Sequence, residues 1–297
     1  MAKRLTEEQL FNEVWDGHWN CERFRKSGHA AEVKRNFDNH IKGQLGSLLL
    51  TKVTVLELKK WQQSLSHVHF AANRSLEVLS KIFQYASENG LNQQGWNPCR
   101  AIKRFPEKSR ERVANESEIQ KIGEVLFKHL ERWPVQITFL FTMLYTGARP
   151  RSLQRATWHD LSVLEGGFGI LIFEGKSTAK TGDNERVIFP PNIMAMINKL
   201  PKRRDNLIFG IKVPKKIWHK VRREAGCPDL WARDLRRTFA TVGYSNGVQL
   251  DIIGELLNHR STQTTKIYAK LNNKARIDAV TEISKKITEL FDKKKVG

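Results

Sequence analysis

The sequence predicts a mainly α-helical chain of α+β class, with an N-terminal helical domain and a larger second domain that carries a small antiparallel β-sheet. Three observations lead there. Apolar residues recur at spacings of three and four, the period of a helix face, along much of the 297 residues. Two capping-box patterns, Thr54-Val55-Leu56-Glu57 and Asn115-Glu116-Ser117-Glu118, each mark a helix start. Two short β-branched and aromatic runs, Phe168 to Phe173 and Arg186 to Phe189, flank a polar stretch containing Gly175 and Gly182, as two paired strands and their loop would.

In the first hundred residues a helix is expected over Ala30 to Lys42, with Gly43 as its stop. Thr54 opens another that runs to about Ser64. Leu76, Leu79, Phe83 and Ala86 share one face of a longer helix that Gly90 ends, and Asn97-Pro98 then breaks regular structure. The result is a bundle of about four helices with Lys and Arg on its outer faces, assigned to residues 1–102. Ile102 to Val113 reads IKRFPEKSRERV, polar and charged with one proline, and residues 103–114 are assigned as an interdomain linker. The second domain, 115–275, opens with helices near Glu116 to Leu130 and Val135 to Tyr145, passes through the sheet, and returns to helix near Pro214. Residues 276–297 form a last helix whose Ile277, Val280, Ile287, Leu290 and Phe291 make an apolar stripe, packed on its own domain or on a neighbouring copy.

Bulk chemistry narrows the function. Lys and Arg total 51 against 31 Asp and Glu, a net charge of +20 spread from Lys3 to Lys295. Such an excess favours a polyanionic partner, because each neutralised phosphate releases condensed counterions. An apolar fraction of 40% supports folded cores and excludes global disorder. No apolar run approaches the ~18 residues of a membrane span, and the start is not an apolar signal core, so a cytoplasmic, DNA-associated protein is expected. Cys21, Cys99 and Cys227 form no CxxC pair and read as idle thiols. His67 and His69, two apart in an expected loop, lack the partners of a metal site.

Four short segments carry chemistry. Thr146-Gly147-Ala148-Arg149 ends an apolar helix in a glycine turn with an arginine just beyond. Arg233-Asp234-Leu235-Arg236-Arg237-Thr238-Phe239-Ala240-Thr241 reads as a basic amphipathic helix with Leu235 and Phe239 toward the core. Leu256-Leu257-Asn258-His259 is followed, nine residues after the histidine, by Tyr268 within Thr264-Thr265-Lys266-Ile267-Tyr268. Ala179-Lys180-Thr181-Gly182 places a lysine in the turn before the second strand. Each alone fits a solvated arginine, a packed tyrosine or a capping histidine. Taken in order, they resemble the TGxR, HxLRHTFAT and LLGHxxxxTTxxY boxes and the hairpin lysine of the tyrosine recombinases, the family of phage integrases and Xer-type recombinases. The likeness is densest from Tyr145 to Leu271. The first hundred residues resemble, more loosely, the core-binding domain of prophage integrases, and the length in front of it leaves no evident arm-binding domain.

The resemblance implies transesterification at a DNA phosphodiester. Tyr268 attacks phosphorus, a 3′-phosphotyrosyl bond forms and the 5′-hydroxyl leaves, with no cofactor and no metal implied. Arg149 and Arg236 act as phosphate clamps, a task that suits a planar, permanently charged fork of donors. His259 donates another hydrogen bond. Lys180 is the general acid, with Lys176 its competitor. Arg233 stands where the family usually has histidine or lysine, and it can donate but not accept a proton. Ser152 stands where an acidic residue often follows the first arginine, which is expected to loosen the support of Arg149. The implied partners are double-stranded DNA, a homotetramer on two duplexes, and accessory DNA-bending or directionality factors, with no membrane. The leading reading is integration and excision of a phage or mobile element. Alternatives are a resolvase or invertase of the same chemistry, a type IB topoisomerase, and a DNA-binding protein with weakened catalysis.

Overall fold

The computed structural model describes residues 11–20, 30–174 and 184–259. It divides into two compact units, Met1–Ser109 and Arg110–Gly297. Among the described residues no helix is long and apolar enough to cross a membrane.

The first unit is a helical bundle. Helix α1 (Phe11–Asn20), absent from the sequence-based expectation, turns Phe11, Val14 and Trp15 inward at the i, i+3, i+4 spacing. Helix α2 (Ala30–His40) stops two residues early, and a short α3 (Lys42–Leu45) takes in Gly43, the expected stop. The reason lies in packing. Ile41 and Leu45 are both buried, so the chain bends and continues, and Gly46 closes the turn at an ordinary φ of −62°. Helix α4 (Val55–Ser64) is capped as expected by the Thr54 side chain, which accepts from the Glu57 amide. The Glu57 carboxylate turns instead to Lys60, at 3.0 Å.

Helix α5 (His69–Glu88) is the spine of this unit. It buries Leu76, Leu79, Phe83 and Ala86 on one face, and Gly90 follows in the left-handed region at φ +69°. His69 is not in a loop but in the first turn of α5, where its ring stacks on Phe105 at 4.5 Å. Pro98–Ala101 form a 3-10 turn capped by Asn97, so the chain past Pro98 is more regular than expected. Trp61, Phe37 and Phe83 fill the core, each contributing roughly 1.5–3 kcal/mol by burial, and the Trp61 indole donates to the His40 carbonyl at 2.6 Å. Cys99 lies in this core, and burial pushes its thiol up to about 12.

The second unit is built around one buried helix. Helix α6 (Glu116–His129) opens on a complete capping box between Asn115 and Glu118. Helix α7 (Pro134–Thr146) is apolar nearly all round and is covered over most of its length, with Tyr145 left exposed. Its buried Thr142 and Thr146 hydroxyls donate back to the Thr138 and Thr142 carbonyls. The short α8 (Pro150–Arg155) follows it in the chain and puts Leu153 into the same core, and around it lie α6, α9 (Pro191–Asn198), α11 (Asp234–Ser245) and the sheet. Helix α10 (Lys215–Glu224) packs on α6 with Trp218 and Val221 buried, leaving Lys216, His219, Lys220 and Arg223 exposed. Helix α12 (Leu250–Leu256) packs on α11.

Among the described residues the sheet has three antiparallel strands in the order β1 (Leu161–Val163), β2 (Gly169–Phe173), β3 (Glu185–Phe189). The two expected strands pair Ile170 with Ile188 and Phe173 with Glu185. Strand β1 was too short, at three residues, to show a period in the sequence. Gly169, Leu171, Val187 and Phe189 face the core, and Glu185 shares that buried register.

Residues 102–115 have no regular structure but are tied down at both ends. On the first unit, the Asn73 amide exchanges hydrogen bonds with the Phe105 backbone at 2.9 and 3.0 Å. On the second, Arg110 reaches the buried Asp234 carboxylate at 3.0 Å, and Arg112 bridges Glu118 and Asp229 at 2.5 and 2.7 Å. The Ala114 amide donates to the Thr238 hydroxyl at 2.9 Å.

Candidate active site

The site forms where the ends of α7, α8 and α12 meet α11 and the start of β3. Gly147 ends α7 in the left-handed conformation, φ +62°, and donates to the Met143 carbonyl. Only glycine suits this place. A Cβ here would sit 2.6 Å from Leu257 and 2.7 Å from Phe239, besides straining the backbone. The turn delivers Arg149 to the N-cap of α8, with Pro150 setting the first helical residue.

Arg236 is the deepest of the expected site residues among those described. It is 9% exposed, and its two terminal nitrogens donate to the Gly147 carbonyl at 2.7 Å and the Leu257 carbonyl at 2.6 Å. One guanidinium thus staples the end of α7 to the end of α12. Arg149 is more open, its side chain 40% exposed. It donates to the Asn258 carbonyl at 3.0 Å and lies 3.7 Å from the Glu185 carboxylate.

Asn258 sits in the left-handed region at φ +49°, where asparagine is tolerated better than most residues. Its side-chain oxygen accepts from the Arg186 amide at 2.9 Å, and its nitrogen donates to the Arg186 carbonyl at 2.6 Å. That pair fastens the residue before His259 to β3. The His259 amide in turn donates to the Gly254 carbonyl. Burial first, then the positive fields of Arg236 and Arg149, hold the His259 ring down at about 4. The imidazole is therefore neutral near pH 7, with one ring nitrogen protonated and the other not.

This shift has a measurable consequence. Between about 4 and the ordinary 6.5, the unfolded chain binds a proton at His259 that the folded chain does not. The contribution of His259 to stability is therefore complete above 6.5 and declines as pH falls toward 4. A ring resonance followed by NMR should still report neutral imidazole at about pH 5.5, whereas a midpoint near the ordinary histidine value would mean a water-exposed ring.

The structure thus brings Arg149, Arg236 and His259 together. Arg233 is exposed at the N-cap of α11, three residues before Arg236. Lys180, Lys176, Tyr268 and the C-terminal stripe lie outside the described residues. Ser152 is buried, and its hydroxyl donates to Glu185 at 3.1 Å, so the expected gap behind Arg149 is occupied by a carboxylate from β3. Sequence reasoning missed Glu185 and the roles of Asn258 and Asp234. The alternation Glu185, Val187, Phe189 was the available signal, since an acid in a buried register needs a cation or donor nearby. Among the described residues no His, Cys, Asp and Glu cluster has the arrangement of a metal site.

The model of the phage integrase family matches residues 114–275, more than half of the chain. The chain belongs to the phage integrase family of tyrosine recombinases. It is therefore an enzyme of the tyrosine-type site-specific recombinases. A tyrosine recombinase of Pseudothermotoga lettingae is 25% identical over 244 residues, 77% of this chain and 79% of that protein. The tyrosine recombinase XerA of Pyrococcus furiosus is 27% identical over 222 residues, 70% and 72% of the two chains. A lambda integrase fragment bound as a dimer to a COC′ core site superposes with a TM-score of 0.66 at 16% identity, covering 88% of this recombinase and 95% of that chain. XerH bound to a palindromic difH substrate in a post-cleavage complex gives 0.65 at 16% identity, covering 96% and 100%. At such identities these likenesses establish the fold of the recombinase.

Proposed function

We propose that this recombinase cleaves and rejoins double-stranded DNA through a 3′-phosphotyrosyl bond to Tyr268. The convergence of Arg149, Arg236 and the neutral His259 on one patch carries the reading. A phosphorane-like transition state gathers negative charge on its non-bridging oxygens. Fixed donors aimed there stabilise it without reorganising, and each can lower the barrier by several kcal/mol. Arg236 is held by backbone carbonyls and Arg149 by a carbonyl and a carboxylate, so both forks are oriented before DNA arrives. His259 donates to the same phosphate. Lys180 protonates the leaving 5′ oxygen, and Arg233, exposed beside the site, contacts phosphate and takes no part as a base.

In this reading residues 1–102 bind the core DNA site, 103–114 link, 115–275 catalyse, and 276–297 dock on a neighbouring copy within a homotetramer on two duplexes. A lambda integrase tetramer bound to a Holliday junction, covering 92% of this chain, supports that assembly by analogy. The exposed Lys216, Lys220 and Arg223 of α10 add positive charge for the phosphate backbone. The reaction serves integration and excision of a mobile element, with a resolvase or invertase role as the second reading. Accessory bending or directionality factors act beside it.

The test is covalent trapping. Wild-type protein first selects a site from random-sequence DNA, and that site is built into a nicked suicide duplex. A protein–DNA adduct is expected with wild type and not with Tyr268→Phe. An adduct that survives Tyr268→Phe, or no adduct from wild type that binds the site tightly, overturns the reading.

A further inference from the structure

Glu185 belongs to the buried face of β3, its side chain 10% exposed. A carboxylate in that position needs compensation, because an unpaired charge away from water is strongly unfavourable. Its compensation comes from the proposed phosphate site. One oxygen, Oε2, accepts from the Ser152 hydroxyl at 3.1 Å and faces Arg149 Nη1 at 3.7 Å. The other terminal nitrogen of Arg149, Nη2, donates to the Asn258 carbonyl at 3.0 Å.

We propose that Glu185 is the positioning residue of Arg149, a carboxylate supplied from β3 in place of the one that the resembling family often carries at the position of Ser152. The proposal rests on the reading of Arg149 as a phosphate clamp. The physical need is plain. Arg149 is 40% exposed and its long side chain has several rotors, so left alone it would sample many orientations. Anchors on both terminal nitrogens fix the plane of the guanidinium, and its remaining N–H groups stay available for a phosphate. Ser152 is too short to reach and neutralise the arginine itself. It holds Glu185 by one oxygen and thereby aims the negative charge. Glu185 also stands five residues after Lys180 in the sequence. The acid serves orientation only and never touches DNA.

The experiment is single-turnover adduct formation on the selected suicide duplex at saturating protein, with the affinity for that duplex and the thermal unfolding midpoint measured alongside. Glu185→Gln keeps the shape and the Ser152 contact while removing the charge. It should slow adduct formation by about 10- to 100-fold, the scale of a misplaced reacting group, and shift the DNA affinity by no more than about twofold. Restoring the charge from the other side, Ser152→Asp with Glu185→Gln, should recover most of the rate. In an Arg149→Lys background the Glu185→Gln change should add nothing, because the residue it positions is already gone. Should Glu185→Gln fail to fold, Ser152→Ala carries the test, with a several-fold loss expected. Wild-type rates for these single variants, or an undiminished effect of Glu185→Gln in Arg149→Lys, overturn the proposal. If wild type itself forms no adduct, the phosphotyrosyl reading has failed instead, and the two failures are told apart by that one lane.

Discussion

Arg236→Ala should slow DNA cleavage by about 10²–10³-fold and destabilise the second unit at once. The rate loss follows from removing a donor that is oriented before the phosphate arrives. The stability loss follows from what Arg236 does at rest. Its two nitrogens satisfy the Gly147 and Leu257 carbonyls at 2.7 and 2.6 Å, and hydrogen bonds from a charged donor are worth about 1.5–3 kcal/mol each. Arg236→Lys offers a single ammonium where the arginine spans two acceptors on different segments. It should recover part of the stability and little of the rate. Adduct formation measured beside urea unfolding separates the two effects. Cleavage by Arg236→Ala within about tenfold of wild type would remove Arg236 from the clamp.

Asp234→Ala is the substitution expected to cost most stability without touching the proposed phosphate site directly. Asp234 is fully buried at the start of α11. Its carboxylate accepts from Arg110 at 3.0 and 3.3 Å, from the Trp231 amide at 2.8 Å and from Arg237 at 3.4 Å. Arg110 also stacks on the Trp231 ring at 4.4 Å. Removing the acid strands these donors together. Breaking a buried pair costs about 3–5 kcal/mol, and the lower end applies because Arg110 is partly open to water. Asp234→Asn keeps an acceptor for the Trp231 amide and should cost less. A urea midpoint for Asp234→Ala equal to wild type would show that the contacts around Arg110 are replaceable by solvent.

Most helices could be read from the sequence because their signals are local. The Asn115 capping box, the α5 face of Leu76, Leu79, Phe83 and Ala86, and the apolar α7 all declare themselves within a few turns. The end of α2 could not, because whether Gly43 stops the helix depends on where Ile41 and Leu45 find a core. Strand β1 gains its identity only by pairing with β2. The site shows the same division. Arg149, Arg236 and His259 stand in recognisable boxes, and the fold brings them together. Their supports do not stand in those boxes. Glu185 lies 33 residues from the Ser152 that holds it, and Asn258 lies 72 from the Arg186 backbone it grips. Such partners are set by tertiary structure, and only the buried register of Glu185 hinted at one of them.

Asn258 has an effect beyond the site. Among the described residues β3 is an edge strand of its sheet, and an open edge invites a strand from another chain. The Asn258 amide mimics such a strand for one residue, giving the Arg186 N–H an acceptor and its carbonyl a donor. A second chain cannot pair at Arg186 without evicting Asn258, and the carbonyl of Asn258 is the one that receives Arg149. Pairing of another chain at Arg186 would therefore also disturb the carbonyl that receives Arg149, which ties the integrity of this strand edge to the order of the proposed clamp.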